Sequence, residues 1–372
     1  MWTSPAGPSP RIRTTRPADN MRDVALFYDS VFESTCEYFN SNPSIEIRRI
    51  SIAGIAIECR FAGAALIPSI MTALKHLIED NRRYETSYRI DIWDSESTHQ
   101  EFPIAPCGID DISVRGELAG FTTERYEAAF FAHARMLTLI DHDKKHGIVC
   151  LASGSDIPAF EVACPLRGIL SWILRRNETA MVHVASVGTS DGFVLIGGKS
   201  GAGKSSTALR GLVGGLFYMG DDICAISIKN NMPTVHGIYS SGKTISSDLK
   251  SFPTLASSAY MRFEDSYEKE VYFLHDRFHS QLPRSGEIKA VIIPHQDPSL
   301  AIGFQRIPIA KTLSIICSST RNLLPNAGDE TFRILSSILH RSPCFRFDLG
   351  DDPSLIADSL VDFISSLKHN RL

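Results

Sequence analysis

The alternation of apolar and polar side chains is cleanest within residues 50 to 61. There Ile55, Ile57, Cys59 and Phe61 fall on one side and Ala56, Glu58 and Arg60 on the other. A period of two marks a strand with one buried face. Leu66, Ile70, Leu74, Leu77 and Ile78 then switch to helical spacing around Pro68, a residue suited to a helix start. Tyr88 to Trp93 reads as another strand. Residues 136 to 152 read as a hairpin, with apolar runs Met136 to Ile140 and Ile148 to Ala152 flanking a polar turn from Asp141 to Gly147. Glu124 to Ala134 fits helix and strand equally. Up to about residue 155 the pattern predicts a small mixed α/β module with several antiparallel strands.

Leu166, Leu170, Ile173 and Leu174 place one apolar face on a helix from Leu166 to Arg176, a bridge into a second domain. Beyond it, strands are expected at Met181 to Val187, Gly192 to Ile196, Leu216 to Met219, Ile223 to Ile228, Ile288 to Ile293 and Cys344 to Leu349. Helices are expected at Lys204 to Leu212, Thr331 to Leu339 and Leu355 to Leu367. The expected organisation is a disordered tail over residues 1–20, an N-terminal α/β module over 21–155 and a second α/β domain over 156–372.

Composition narrows the function classes. With 43% hydrophobic and 22% charged residues, the 372-residue chain has globular proportions. A net charge of −4 gives no electrostatic case for nucleic acid or anionic membrane as a partner. The longest nearly uncharged stretch, Phe61 to Leu74, is too short to span a bilayer. No two of the eight cysteines stand close enough for a C-x-x-C or zinc-ribbon spacing, which fits small core residues and a reducing cytoplasm. The Pro-, Ser- and Arg-rich start lacks the apolar run of a secretory signal. A cytoplasmic location is therefore expected.

Gly198-Lys199-Ser200-Gly201-Ala202-Gly203-Lys204-Ser205 matches G-x-x-x-x-G-K-[ST] in full. The glycines let the loop aim successive N–H groups at phosphate oxygens, and the following helix presents its positive end to the same anion. Lys204 would reach the terminal phosphates, and the Ser205 hydroxyl would ligate Mg²⁺. Ser206 continues the binding segment into the helix. An apolar strand enters the loop and a helix leaves it, which is the context the motif requires.

Asp221 and Asp222 follow Gly198 by 23 and 24 residues, between two apolar runs. Two strands meeting at such a pair suggest a corner that turns carboxylates toward the phosphates, although a solvated turn also favours Asp. His183 lies in the apolar run Met181-Val182-His183-Val184-Ala185, where on its own a histidine reads as a core residue.

Together His183, the loop from Gly198 to Ser205 and Asp221-Asp222 resemble the kinase domain of HPr kinase/phosphorylase over about Val182 to Ile228. More broadly, the chain looks like the HPr-kinase-related group that includes kinases of lasso-peptide precursors, some relatives of which phosphorylate free serine. The resemblance implies an α/β fold: the P-loop core shared with phosphoenolpyruvate carboxykinase, preceded by a smaller mixed α/β domain. It implies transfer of the γ-phosphoryl group of ATP, with Mg²⁺, to a hydroxyl: that of a serine on a peptide or protein, or alternatively free serine or another small molecule. In that reading Asp221 is the base, Asp222 supports the metal with Ser205, and His183 and Lys204 complete the catalytic set. Gly198, Lys199, Ser200, Gly201, Ala202, Gly203, Lys204, Ser205 and Ser206 hold the nucleotide. A P-loop hydrolase and a non-catalytic nucleotide-binding module are the rival readings, and homo-oligomerisation is left open. His236 and Lys243 offer a rim for the phosphates. Lys269, Arg277 and Arg284, in the polar stretch from Glu264 to Glu287, offer cations for a lid.

Overall fold

The computed structural model describes residues 21–79, 86–155, 157–245, 252, 255, 259–262 and 269–367. The tail over 1–20 and residues 263–268 of the expected lid lie outside them. Among the described residues the chain is mixed α/β and built on three sheets. The first carries β1 (Ile45–Ile52), β2 (Ile55–Ala62), β3 (Tyr88–Asp94), β4 (Tyr126–Phe131), β5 (Met136–Asp141) and β6 (His146–Leu151) in the order β1-β2-β3-β6-β5-β4. β1 turns into β2 through Ala53 and Gly54, both at positive φ, and β2 keeps its alternation, with every second residue buried. A long helix, α1 (Met21–Ser41), precedes this sheet. Its Val24, Tyr28, Val31, Phe32 and Phe39 are buried with Trp93, Leu137 and Ile148 of the strands. The helix expected behind Pro68 is short, α2 (Ile67–Met71), continued by a single tight turn at Lys75–Leu77. A one-turn helix, α3 (Ser95–Thr98), follows β3 and is capped by Asp94.

Two helices lead into the second half, α4 (Ala159–Ala163) and α5 (Arg167–Arg175). The expected α5 forms, but every residue from Arg167 to Leu174 is buried rather than one face. The reason is its position between β5 and the next strand, β7 (Thr179–Val182), which covers both sides. One continuous apolar core runs from Ile57, Ile90 and Val149, through Leu170 and Trp172 of α5, to Met181, Ala225 and Tyr239.

The second sheet adds β8 (Ala185–Thr189), β9 (Gly192–Ile196), β10 (Phe217–Gly220), β11 (Cys224–Lys229) and β12 (Met232–His236). The third sheet has three strands, β13 (Ser241–Ile245), β14 (Ala259–Arg262) and β15 (Lys269–Phe273), in the order β13-β15-β14. The second sheet is completed by β16 (Ser285–His295), β17 (Gly303–Arg306) and β18 (Cys344–Asp348). Its helices are α6 (Lys204–Val213), α7 (His275–Phe278), α8 (Ile309–Leu323), α9 (Asp329–Leu339) and α10 (Ile356–Leu367). α6 and α10 pack together beside β8, and α8 and α9 lie against β7.

The strand expected from Met181 to Val187 is two strands. β7 pairs antiparallel with β11 and β8 with β10, so 179–189 and 217–229 form one long ribbon with a break in its middle. From β8 the pairing runs through β9, β16, β12 and β11 to β7, so the sheet curls back onto its own first strand. No helix among the described residues is long and apolar enough to cross a membrane.

Candidate active site

The expected site residues gather at the break in the ribbon. Pairing across it stops at Val182 opposite Cys224 and resumes at Ser186 opposite Gly220. That leaves His183 to Ala185 facing Asp221 to Ile223 without a cross-strand ladder. Backbone groups freed in this way need other partners. The His183 N–H donates to Thr320 Oγ1 of α8 at 2.9 Å, and the Val184 N–H folds back onto the Val182 carbonyl at 3.0 Å. A side chain distant in sequence thus satisfies the freed N–H of one strand, and on the facing strand Gly220, at φ +155°, stands at the edge of the break beside a register shift.

The loop from Gly198 to Gly203 connects β9 to α6, as the motif requires. Gly201 has φ +80° with open space where a Cβ would stand, and Gly203 has φ +92° at the helix N-cap. A Cβ on Gly198 would meet that of Ala202 at 2.9 Å, so the loop closes tightly there. Lys204 is buried, and its Nζ donates to the carbonyls of Gly198 at 2.9 Å and Lys199 at 3.2 Å.

Asp221 is 3% exposed. Its Oδ2 accepts the backbone N–H of Lys243 at 2.8 Å, and the Ser205 hydroxyl lies close enough to favour its ionised form. Burial works the other way and is the larger effect; with the neighbouring Asp222 carboxylate it holds Asp221 above the usual carboxylate range. Asp222 behaves oppositely. Burial opposes its charge too, but the Lys243 ammonium and the His183 hydrogen bond outweigh that and hold it well below the usual range. His183 Nε2 is 2.9 Å from Asp222 Oδ1, and Lys243 Nζ is 2.7 Å from Oδ2. Two adjacent carboxylates are thus driven apart in proton affinity by their surroundings.

These contacts bring His183, Lys204, Ser205, Asp221 and Asp222 into one neighbourhood, together with the loop from Gly198 to Gly203. The other expected cations divide. Lys243 enters the centre of the acidic pair rather than a rim. His236 does not form a rim either: it is buried, with Nε2 2.8 Å from Ser227 Oγ, and burial lowers its pKa to about 4. Arg284 is engaged by Glu79 and the Ile78 carbonyl, and Arg277 lies over the Phe278 ring. The side chain of Lys269 lies outside the described ones.

Hard oxygen donors at Ser205 and the acidic pair suit Mg²⁺, and the loop and helix N-terminus suit a polyphosphate. Among the described residues, no three His, Cys, Asp or Glu side chains form a metal cage. A Mg²⁺ ion held here would draw ligands from the nucleotide phosphates, as that ion commonly does.

No protein-family model and no curated protein matches this chain. Among solved structures, it is similar to the Hpr(Ser) kinase/phosphatase from Coxiella burnetii. The likeness is distant: 14% identity, a TM-score of 0.28, and coverage of 50% of this chain and 96% of the other. Resemblance at that depth carries no argument about activity, so the functional reading stands on the geometry of the ribbon break and the loop.

Proposed function

We propose that this chain is an ATP-dependent phosphotransferase that delivers the γ-phosphoryl group to a hydroxyl, with the serine of a peptide or protein as acceptor. The observation that supports this most directly is the opened ribbon, which brings an acidic pair of split proton affinity to the P-loop serine. The loop N–H groups and Lys204 hold the β- and γ-phosphates. Ser205, with the acidic wall behind it, holds the metal side of the nucleotide; bound Mg²⁺ would supply charge neutralisation on the phosphates. Asp221 takes the proton of the attacking hydroxyl. Its environment favours that step, because a buried carboxylate beside another carboxylate binds a proton more readily than a free one. Asp222 stays ionised between His183 and Lys243, fixing the geometry of the pair. Positioning and electrostatics supply most of the rate in phosphoryl transfer, so few reactive groups are needed.

The test is incubation with γ-labelled ATP and Mg²⁺, offering serine-containing peptides and free serine, with products read by mass spectrometry. Transfer of label to a peptide hydroxyl supports the proposal. Label on free serine alone would move the acceptor to small molecules. Release of inorganic phosphate at an enzymatic rate without any acceptor would make the chain a hydrolase. Nucleotide binding with neither outcome would leave a non-catalytic module.

A further inference from the structure

Lys243 is separated from the acidic pair by some twenty residues, yet it holds both carboxylates at once. Its backbone N–H donates to Asp221 Oδ2 at 2.8 Å, and its Nζ donates to Asp222 Oδ2 at 2.7 Å. The side chain is 11% exposed, and its Nζ also lies 3.6 Å from Cys164 Sγ. An ammonium buried this far from water needs a carboxylate partner, and Asp222 Oδ2 supplies it.

The strand that delivers it is fastened to the first half of the molecule. The Tyr239 hydroxyl donates to the Pro165 carbonyl at 2.9 Å, and the Ser241 hydroxyl to the Ala163 carbonyl at 2.6 Å. The Ser240 N–H and hydroxyl both donate to the Ala73 carbonyl, at 2.8 and 3.1 Å. All three acceptor carbonyls belong to residues that precede the second sheet: Ala73 follows α2, and Ala163 and Pro165 lie at the end of α4. The fastened side chains are buried. Four hydrogen bonds over three consecutive residues fix the start of β13, and Lys243 stands two residues further on.

We infer that Lys243 is a positioning residue of the phosphotransferase site, the resident counter-cation of Asp222, and that the N-terminal half sets its place through the anchored segment Tyr239 to Ser241. The inference rests on the phosphotransferase reading. Lys243 keeps Asp222 as a fixed ion and orients Asp221 through its main chain. A positive charge so close to the metal side also repels Mg²⁺, so the lysine sharpens turnover at the expense of metal affinity.

That opposition gives a signature that a packing role would not produce. In the full-length chain at pH 8, with ADP as the nucleotide, Mg²⁺ is titrated while thermal stabilisation is followed, and turnover is measured on the acceptor found above. Lys243→Met should lower the half-saturating Mg²⁺ concentration several-fold, because a nearby like charge is gone. The same variant should lose turnover by about 100-fold or more, the scale seen when a preorganised donor is removed from a reaction centre. Lys243→Arg, which keeps the charge, should return both quantities toward wild type. Tyr239→Phe combined with Ser241→Ala keeps the lysine but removes two anchors, and should move both quantities in the same directions by less. Metal binding and turnover that weaken together in Lys243→Met would show mere damage to packing and overturn the inference. So would an Arg variant no better than Met, or an anchor variant indistinguishable from wild type. The anchor variant decides the matter even if Lys243→Met fails to fold. Absence of any Mg²⁺-dependent stabilisation by ADP in the wild-type chain would instead overturn the phosphotransferase reading itself, and the inference with it.

Discussion

Replacing Lys204 by Met isolates the contribution of one ammonium, because the aliphatic stem is kept. In the ligand-free protein that ammonium bonds the carbonyls of Gly198 and Lys199. Lys199 is exposed, so water can replace the lysine there, but Gly198 is buried and its carbonyl loses a partner, so the loss of stability should be about 1–3 kcal/mol. Nucleotide binding is read separately, as the rise in Tm that ligand adds to each protein. A hydrogen bond to a charged group contributes about 1.5–3 kcal/mol, and the upper part of that range is roughly 100-fold in affinity. At a nucleotide concentration of roughly 100 times the wild-type Kd, binding stabilises the native state by about 2.7 kcal/mol. A 100-fold weaker variant at the same concentration gains only about 0.4 kcal/mol. For a chain of 372 residues that converts to a wild-type rise in Tm of about 3.5 °C and a variant rise of about 0.5 °C. Scanning fluorimetry with and without Mg²⁺ and ADP measures both. A variant that kept the full ligand-dependent rise would refute the assignment of the loop as the phosphate cradle.

Two further outcomes follow from the backbone and the buried ion pairs. Gly201 has a positive φ and no neighbour where a Cβ would stand, so Gly201→Ala should destabilise by strain alone, about 1–2 kcal/mol in chemical denaturation. Glu127, buried on β4, is opposed by burial but held below the usual carboxylate range by His142 and Arg175. A folded pKa below the unfolded one stabilises above the unfolded value and is lost as pH falls through the folded one. Wild type should therefore lose Tm below about pH 4.5. Glu127→Gln should be less stable at neutral pH by about 3 kcal/mol, with a smaller further loss on acidification. An equal acid-induced drop in both proteins would show that the Glu127 cluster contributes nothing to acid stability.

Much of the second half of the chain was legible because its elements advertise themselves locally. Gly192–Ile196, the loop and Lys204–Val213 follow from apolar period and glycine placement, and the hairpin around Asp141 to Gly147 from its polar turn. The split of Met181 to Val187 was not legible, because no Gly or Pro marks it; Thr320, far along the chain, supplies the bond that allows the break. Residues 126–131 were undecided by pattern and became a strand through pairing with β5, a tertiary choice. α1 did carry a signal: Val24, Tyr28, Val31, Phe32 and Phe39 are spaced for one helical face. Lys243 carried none that would put it on Asp222, since a lysine in a polar loop has no local feature that names a partner so far back in the chain.

In the proposed reaction Asp221 accepts the proton of a hydroxyl during phosphoryl transfer. Asp221→Asn preserves shape and removes the proton acceptor, so single-turnover transfer from γ-labelled ATP, measured beside nucleotide affinity, addresses it directly. Nucleotide binding should stay close to wild type with transfer reduced about 100-fold or more, the pattern of an interaction made in the transition state. Transfer at a rate near wild type, with the nucleotide bound equally well, would contradict that role for Asp221.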